Sequence, residues 1–584
     1  MNPWLDGLTA LISHAPAALA FLLVIVWGIL VLRGALTHLF GETLSETDLL
    51  SISIAGWVLP ALSLALFAFG ISLVFDSSIG GIAALIVILI STLKSIGGKP
   101  TPSAALVLSL ILLPSIFLRF AFIRDLTLPS YFDSAEHYRI IQTLVLSYEQ
   151  PAALEWIGGF YHIGFHILSA LIVRYLRVGT LELMLVSGPL LLAILPFTFF
   201  FIVRRETGSN PAALFACLLA GFGFHMPAHL MNWGKYPALL SLFPMLFAFS
   251  LAYIGVRGGE NRKPTLFPFA LAISISFLVH SRALIVFGAM LIAAVITNGW
   301  ARLQTSYRIT GGIFIAAFAA VEIFALRNTH VFAPLLEGYL KNDSWILILI
   351  LLLAFFAAMH YPSAVFFLAA LLILCIVCLY IPIPLPALGI QTLLDRPFVQ
   401  MFAFILLSLM GGLGLAGLTQ TIQRLTPGRN LIQRFITIFL FGIVLLNAAR
   451  NYSFYPSACC RFASRDDLAA FAWMDKHLPP DANILIASVN LSVTSYESPN
   501  AQSGADAGVW ITPLLQRKTR LSGWATQFQT EDVRRDLCNR NISAVYIGGM
   551  PQSFDANQLD IQPGWYSSAF LLPKAKVYRV IGCR

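Results

Sequence analysis

Apolar segments of near bilayer-spanning length recur along most of this chain, and they restrict its fold more than any other feature. About fourteen such segments are centred near residues 27, 63, 88, 113, 192, 218, 247, 273, 291, 317, 352, 371, 408 and 440. A helix of roughly 20 residues spans the hydrocarbon core of a bilayer. The chain is 58% hydrophobic and only 11% charged, and a water-soluble protein of this size could not cover so much apolar surface. The alternation typical of barrel strands is absent. The sequence therefore predicts an all-α polytopic membrane protein with about 14 transmembrane helices.

Lysine and arginine residues lie in alternate loops and predict the orientation of the chain, because basic loops stay in the cytoplasm. The basic loops carry Lys94 and Lys99; Arg204 and Arg205; Arg257, Arg262 and Lys263; Arg302 and Arg308; and Arg424, Arg429 and Arg434. The opposite segments 124–180, 225–236, 280–282, 327–343 and 382–397, together with the tail, are then predicted to be extracytoplasmic. This scheme requires residues 161–175 to form a juxtamembrane helix and not a full span. It describes a multi-pass protein of the plasma (inner) membrane, and the scattered net charge of +9 indicates topology and no nucleic-acid partner.

The composition changes near residue 450, where apolar runs shorten and charges become frequent. Ser464 and Asp467 form a capping-box pattern before a helix, which the prolines at 479 and 480 end. Residues 483–488 and 543–547 are predicted to be buried strands, and a second helix starts after Thr530. We expect N-terminal extra transmembrane helices in 1–102, a transmembrane domain in 103–450 with the outer loop 124–180, and an extracytoplasmic soluble α/β domain in 451–584. Disulfides could form there among Cys459, Cys460, Cys538 and Cys583.

Polar residues between Arg124 and His166 interrupt the apolar pattern. Charged groups beside a membrane cost free energy unless they face water, a partner or a substrate. If residues 133–138 are helical, Asp133, Glu136 and His137 share one face. Such a group could deprotonate an acceptor hydroxyl or bind a divalent cation such as Mg²⁺ or Mn²⁺. The alternative is a helix whose charges simply face water.

Further candidates lie in the other predicted outer segments. His162 and His166 have the i, i+4 spacing that can bind a metal when a third ligand is near, although they could also bind a sugar or form the wet face of an interfacial helix. Basic side chains bind phosphate and aromatic rings stack on sugars, but the same residue types anchor helix ends at a membrane boundary. These further candidates are Asn232, Trp233, Lys235, Tyr236, His280, Arg282 and Arg327.

The order of these elements resembles the GT-C superfamily of membrane glycosyltransferases. The resemblance is carried by an acidic first outer loop, a Y-x-x-G-x-H pattern at 161–166, a span ending in Arg204 and Arg205, and the N-W-G-K-Y-P segment at 232–237. It extends over residues 103–584 and looks like one bacterial and archaeal branch of the superfamily. The W-W-D-x-G motif of oligosaccharyltransferases and the paired-proline motif after the first loop are missing.

The resemblance implies a GT-C-like fold and an enzyme that transfers a sugar from a polyprenyl-phosphate donor to a lipid, glycan or protein acceptor at the outer membrane face. Asp133 matches the position of the catalytic base best and Glu136 second. Because some relatives use a divalent metal, the same two residues are also metal candidates. The implied donor-phosphate residues are Lys235, Tyr236, Arg282 and Arg327, and the implied substrate residues are His137, His162, His166, Asn232, Trp233 and His280. The alternative is a transporter or flippase of lipid-linked glycan, toward which the acidic Glu322 inside a span would point.

Overall fold

The computed structural model describes residues 2–41, 43–95, 102–157, 162–257, 263–385, 389–426, 428, 430–491, 493–495 and 502–583. Lys99, Tyr161, Arg262 and Arg429, which entered the predictions above, lie outside the described residues. The helices up to the tail are α1 (Pro3–Ser13), α2 (Ala15–Phe40), α3 (Glu46–Gly56), α4 (Val58–Val74), α5 (Ser77–Ser95), α6 (Pro102–Phe120), α7 (Tyr131–Ser147), α8 (Gly164–Leu176), α9 (Thr180–Ile194), α10 (Phe200–Thr207), α11 (Asn210–Leu218), α12 (Met226–Asn232), α13 (Tyr236–Arg257), α14 (Lys263–Val279), α15 (Ala283–Ala301), α16 (Thr305–Leu326), α17 (Phe332–His360), α18 (Pro362–Val377), α19 (Arg396–Leu425) and α20 (Asn430–Asn451).

The described residues contain 11 helical segments that are long and apolar enough to cross a membrane. Four shorter apolar segments accompany them, namely Ile111–Ile123, Gly164–Leu176, Thr265–Val279 and Pro362–Val377. Every predicted span centre falls within one of the 11 long segments or one of three of the shorter ones. The remaining short segment is α8, whose 13 residues are too few to cross a core of about 30 Å at about 1.5 Å per residue. The prediction of a polytopic α-helical membrane protein is confirmed.

The N-terminal helices pack into the same bundle as the rest. Trp57, between α3 and α4, is fully buried, and its ring lies 6.0 Å from those of Phe21 in α2 and Phe243 in α13. Small residues permit these close crossings. A Cβ atom on Gly28 would come within 2.5 Å of the Trp57 carbonyl oxygen, and one on Gly414 within 2.5 Å of the Leu353 Cβ. Glycine is therefore needed where α2 crosses Trp57 and where α19 crosses α17.

Two buried carboxylates of the bundle are paired with basic side chains from distant parts of the chain. Asp48 in α3 lies 2.7 Å from an Arg204 nitrogen in α10, and the His225 Nδ1 lies 2.5 Å from an Asp343 oxygen in α17. Because a buried charge without a partner is costly, these pairs fix which helices are neighbours.

The chain ends in a unit built around a six-stranded sheet, preceded by a hairpin of β1 (Pro382–Leu385) and β2 (Gly389–Thr392). The elements of this unit are α21 (Arg465–His477), β3 (Asn483–Asn490), β4 (Gln502–Gly504), α22 (Ile511–Leu515), β5 (Lys518–Gly523), α23 (Glu531–Asn539), β6 (Ile542–Ile547), α24 (Ala556–Asp560), β7 (Tyr566–Leu572) and β8 (Ala575–Val580). The sheet order is β4-β3-β6-β8-β7, with β5 also paired to β3. Strands β3 and β6 are parallel, and β6, β8 and β7 are antiparallel to one another in turn.

The local predictions for this unit agree with the structure. The capping box of Ser464 and Asp467 starts α21, the two predicted strands are β3 and β6, and α23 follows Thr530. Disulfides join Cys459 to Cys460 and Cys538 to Cys583.

The predicted outer segments meet the C-terminal unit at one end of the bundle. The Thr127 hydroxyl donates to the Ala463 carbonyl at 2.8 Å, and the Arg396 N–H donates to the Val493 carbonyl at 3.0 Å. Leu128 of the first outer loop also belongs to a hydrophobic cluster of the C-terminal unit. This end of the molecule carries the candidate site.

Candidate active site

The turn before α13 packs against the first turn of α7. Gly234 has a φ of +62°, which glycine adopts without steric cost. A Cβ atom at this position would collide with the Ser134 hydroxyl and come within 3.0 Å of the Ser130 carbonyl oxygen. This close approach brings the Lys235 Nζ to 2.5 Å from the Asp133 Oδ2. The structure thus joins the acidic outer loop to the N-W-G-K-Y-P segment.

A cavity of about 140 Å³ opens beside this ion pair. Its polar walls come from four separate segments of the chain, all predicted to be on the outer side. The polar lining residues are Asp133, His137, His162, Lys235, His280, Arg282 and Asp395. Six of these seven residues were candidates from the sequence, and the fold brings them together.

Asp395 is the lining residue that sequence reasoning missed. Its carboxylate lies 2.8 Å from an Arg282 nitrogen and also accepts the Phe398 N–H at 2.9 Å, which caps the N-terminus of α19. An Asp followed by a proline two positions later, before a long apolar run, is a helix-start pattern that could have drawn attention to it. Its partnership with Arg282 is tertiary and has no local signal. The cavity therefore holds two carboxylates and two cations, and their formal charges balance.

Asp133 has the electrostatics of a proton acceptor. Burial raises the pKa of its carboxyl, and Lys235 opposes this shift only in part. For Lys235, burial alone would lower the pKa, but the carboxylates of Asp133 and Asp395 outweigh it and raise the pKa. The lysine therefore stays protonated beside a carboxylate of increased basicity. Such a carboxylate suits general-base chemistry near neutral pH.

Three imidazoles complete the cavity wall. The His162 and His280 ring centroids are 4.3 Å apart, and His280 also packs on Phe398. Burial, followed by the charges of Arg282 and Lys235, lowers the pKa of His162 to about 3. Burial likewise moves the pKa values of His137 and His280 well below the ordinary range. These rings are neutral at physiological pH, so they act as hydrogen-bonding groups and not as cations.

His166 lies behind this wall and fixes the orientation of His137. The His137 Nδ1 is 3.0 Å from the His166 Nε2, and His137 also donates to the Gly234 backbone. The His166 ring and the Gly234 backbone therefore hold the His137 imidazole from two sides. His162 lines the cavity, whereas His166 lies behind its wall and contacts His137. The two rings therefore do not fit as joint ligands of a metal ion.

Glu136 is not part of the cavity, contrary to the prediction that it shares a site with Asp133. Its carboxylate is half exposed and forms a bidentate pair with Arg139 at 2.8 and 2.6 Å. On a helix, positions i+3 and i+4 lie about 60° to one side and about 40° to the other side of position i. The cavity meets α7 on the side of Asp133 and His137, so Glu136 faces away. Asp133 and Glu136 therefore do not fit as joint ligands of a divalent metal, and the described residues contain no group of three His, Cys, Asp or Glu side chains that could hold one.

Four other predicted binding residues have structural contacts. The Asn232 side chain accepts the Ser457 N–H at 2.8 Å, Trp233 stacks on His229, and Tyr236 stacks on Phe165 with ring centroids 5.6 Å apart. These contacts hold the turn to the C-terminal unit and to α8. The Arg327 guanidinium lies over the Phe324 ring and does not line the cavity.

A model of DUF6541, described as a family of unknown function, matches residues 15–338, which is more than half of the chain. The chain belongs to this family. The DUF6541 match includes the N-terminal helices α2 to α5, the loop with Asp133, and the segments that carry Lys235 and Arg282. No curated protein matches this DUF6541 member in sequence.

Among solved structures, this DUF6541 chain is similar to the archaeal oligosaccharyltransferase AglB from Archaeoglobus fulgidus, in complex with an inhibitory peptide and a dolichol-phosphate. The TM-score is 0.40 and the identity 12%, over 80% of this chain and 73% of that chain. This likeness is too remote to assign a fold or a function.

Proposed function

We propose that this protein is a GT-C-like integral membrane glycosyltransferase that takes a sugar from a polyprenyl-phosphate donor. The observation that carries the proposal is the convergence of Asp133, Lys235 and Arg282 on one cavity between apolar helices. Sugar transfer from a lipid phosphate needs a base for the acceptor and cations for the departing phosphate. The sequence resemblance to GT-C enzymes points to the same reaction and to the same residue as the base.

The proposed reaction exchanges one bond for another. The acceptor oxygen bonds to the anomeric carbon, Asp133 takes the acceptor proton, and the bond between that carbon and the phosphate oxygen breaks. Lys235 and Arg282 stabilise the negative charge that the lipid phosphate gains. The neutral rings of His137, His162 and His280 line the same cavity and can hydrogen-bond to sugar hydroxyls.

The two ion pairs suggest how donor binding prepares the base. In the structure Lys235 is bound to Asp133 and Arg282 to Asp395. A donor phosphate attracts both cations, and a lysine that turns toward it weakens its hold on Asp133. Because an opposite charge lowers a carboxyl pKa, loss of that contact makes Asp133 a stronger base. Asp395 retains Arg282 in place when no donor is bound.

Sugar transfer in vitro tests this function. Purified protein in zwitterionic nanodiscs is incubated with a panel of polyprenyl-phosphate sugars and with lipid, glycan and peptide acceptors. We expect transfer from at least one donor by the wild type and its loss in Asp133→Asn. If Asp133→Asn transfers sugar as fast as the wild type, the assignment of the base is wrong.

Transport of a lipid-linked glycan is the second candidate, and Glu322 is the observation that favours it. Its side chain is buried in α16, and its Oε2 has no hydrogen-bond partner among the described residues. A carboxyl group inside a span often marks a transport path. Glu322→Gln would abolish translocation of a fluorescent lipid-linked glycan if the protein is a transporter, and would leave sugar transfer unchanged if it is the transferase proposed here.

A further inference from the structure

A larger cleft of about 660 Å³ lies between the first outer loop and the C-terminal unit. One wall is the segment 124–127 that follows α6. The others are the segments 458–467 and 549–551 together with Lys574. None of its residues lines the cavity with Asp133. The proposed transfer reaction, as assigned to that cavity, leaves this cleft without a role.

Basic side chains dominate the cleft. Arg124 is bound to Asp6. Arg461, Arg465 and Lys574 are exposed, and within the described part of the chain none of their side chains forms an ion pair. The Asp466 carboxylate beside Lys574 accepts the Lys574 backbone N–H at 3.0 Å. Three cationic side chains around one cleft favour a positive potential there, which attracts anions. Arginine in particular matches phosphate with two parallel hydrogen bonds.

The two acidic lining residues do not cancel this potential. Asp125 is half exposed and lies 3.9 Å from an Arg124 nitrogen. Asp467 is buried, where its carboxylate accepts from the Ser464 hydroxyl at 2.6 Å and from Tyr546. Burial raises the pKa of Asp467, and these hydrogen bonds offset the shift only in part. The Asp467 carboxylate therefore stabilises the N-terminus of α21 through these hydrogen bonds.

The cleft also lies at a position where sheets of this type bind ligands. Residues 549–551 begin two positions after the end of β6, which is parallel to β3. Ligands of open α/β sheets bind outside the carboxyl ends of parallel strands. Gly549 allows the backbone at this point to approach Lys574 closely, since a Cβ atom on Gly549 would come within 3.0 Å of the Lys574 Cβ.

One aromatic contact separates the cleft from the candidate active site. Phe462 lines the cleft, and its ring centroid lies 5.3 Å from that of Tyr131. Tyr131 precedes Asp133 by two residues and has a φ of +67°, which is unusual for a residue other than glycine. The cleft and the first turn of α7, which carries Asp133, therefore meet at this ring pair.

We propose that the basic cleft binds a phosphate-bearing group of the acceptor. The identity of the bound molecule as the acceptor rests on the proposed transferase function. The phosphate-binding site itself does not depend on that function. The donor phosphate would meet Lys235 and Arg282 in the small cavity, and the acceptor phosphate would meet Arg461, Arg465 and Lys574 in the cleft. The phosphate could belong to a membrane lipid headgroup or to a free molecule, since both present the same chemistry.

Binding of inorganic pyrophosphate to the full-length protein in zwitterionic nanodiscs tests the site. We expect the double variant Arg461→Ala/Lys574→Ala to weaken pyrophosphate binding at least about tenfold, because two charged contacts are lost. The matched control Lys518→Ala/Arg535→Ala removes the same number of charges from exposed positions outside the cleft. Arg461→Lys/Lys574→Arg retains the charges and should bind. Equal binding by the wild type and the cleft variant, or equal loss in the control, would overturn the proposal.

Two further comparisons identify the source of the phosphate and distinguish failure of the phosphate site from failure of the transferase function. Phosphatidylglycerol in the nanodisc should compete with pyrophosphate if a lipid headgroup is the source, and should not compete if a free phosphate-bearing molecule is; either result, with dependence on Arg461 and Lys574, supports the site. If no sugar transfer is found but cleft-dependent binding persists, the transferase function fails and the phosphate site stands.

Discussion

The ammonium group of Lys235 lies 2.5 Å from the carboxylate of Asp133, and both side chains remain partly accessible from the cavity. The pair joins the first outer loop to the turn before α13. It places the proposed base in direct contact with a cation that is proposed to bind the donor phosphate.

Removal of a cavity cation should slow sugar transfer. Lys235→Ala and Arg282→Ala are each expected to lower kcat by about 10²-fold, the usual effect of losing one group that stabilises a developing negative charge. Lys235→Arg should recover part of the rate because it retains the charge. Arg327→Ala is the control, since Arg327 packs on Phe324 outside the cavity. A comparable loss of rate in Arg327→Ala would contradict the assignment of the phosphate site.

The turn that positions Lys235 should tolerate no side chain at Gly234. Gly234→Ala introduces a Cβ atom at a φ of +62° and against the Ser130 carbonyl oxygen. We expect a loss of about 1–3 kcal/mol in stability, together with a reduced rate. Gly288→Ala, where a Cβ would meet nothing within 4 Å, should be neutral. Thermal unfolding of both variants in the same nanodiscs makes the comparison, and equal melting temperatures would show that the close approach does not exist.

The pH dependence of kcat/KM should be set by Asp133 and not by the histidines. The base must be deprotonated, so the rate falls as the pH falls through its pKa, which burial raises above the ordinary value of about 3.9. His162, with a pKa of about 3, remains neutral through the physiological range. His162→Gln should therefore change the rate without moving the acid limb of the profile. A transition near pH 6.5 that disappears in His162→Gln would refute this description.

The end of the bundle that carries the candidate active site and the basic cleft should face the outside of the cell. Gln529→Cys in the C-terminal unit and Gln304→Cys in the loop between α15 and α16 are both exposed and lie in segments predicted to be on opposite sides. A membrane-impermeant maleimide should label Gln529→Cys in intact cells and Gln304→Cys only after lysis. The reverse pattern would invert the predicted orientation.

The sequence predicted those features that local composition determines. Apolar length located the spans, and the alternation of basic loops required residues 161–175 to be a juxtamembrane helix. The structure agrees, since α8 has only 13 residues. The capping box at Ser464 and the strands β3 and β6 follow from local patterns too. Helical spacing grouped Asp133 with Glu136 and His137, but it could not say which side of α7 meets a neighbour. That choice depends on the turn at Gly234, which is distant in sequence.

The features that the sequence did not predict depend on contacts between distant segments of the chain. Asp395 has the local pattern of a helix cap, and only the fold shows that it also binds Arg282. Asn232 and Trp233 have residue types suited to sugar binding, yet their contacts connect the turn to its own surroundings. The basic cleft combines residues from four separate stretches of the chain and has no sequence motif.

The most direct test of the account compares two carboxylates on the same helix. Asp133→Asn and Glu136→Gln make the same chemical change three residues apart, but only Asp133 lines the cavity. Transfer rates with a saturating polyprenyl-phosphate sugar are measured for both variants and the wild type. We predict that Asp133→Asn loses at least about 10²-fold in kcat, while Glu136→Gln stays close to the wild type. Loss of activity in Glu136→Gln with Asp133→Asn still active would contradict the central claim.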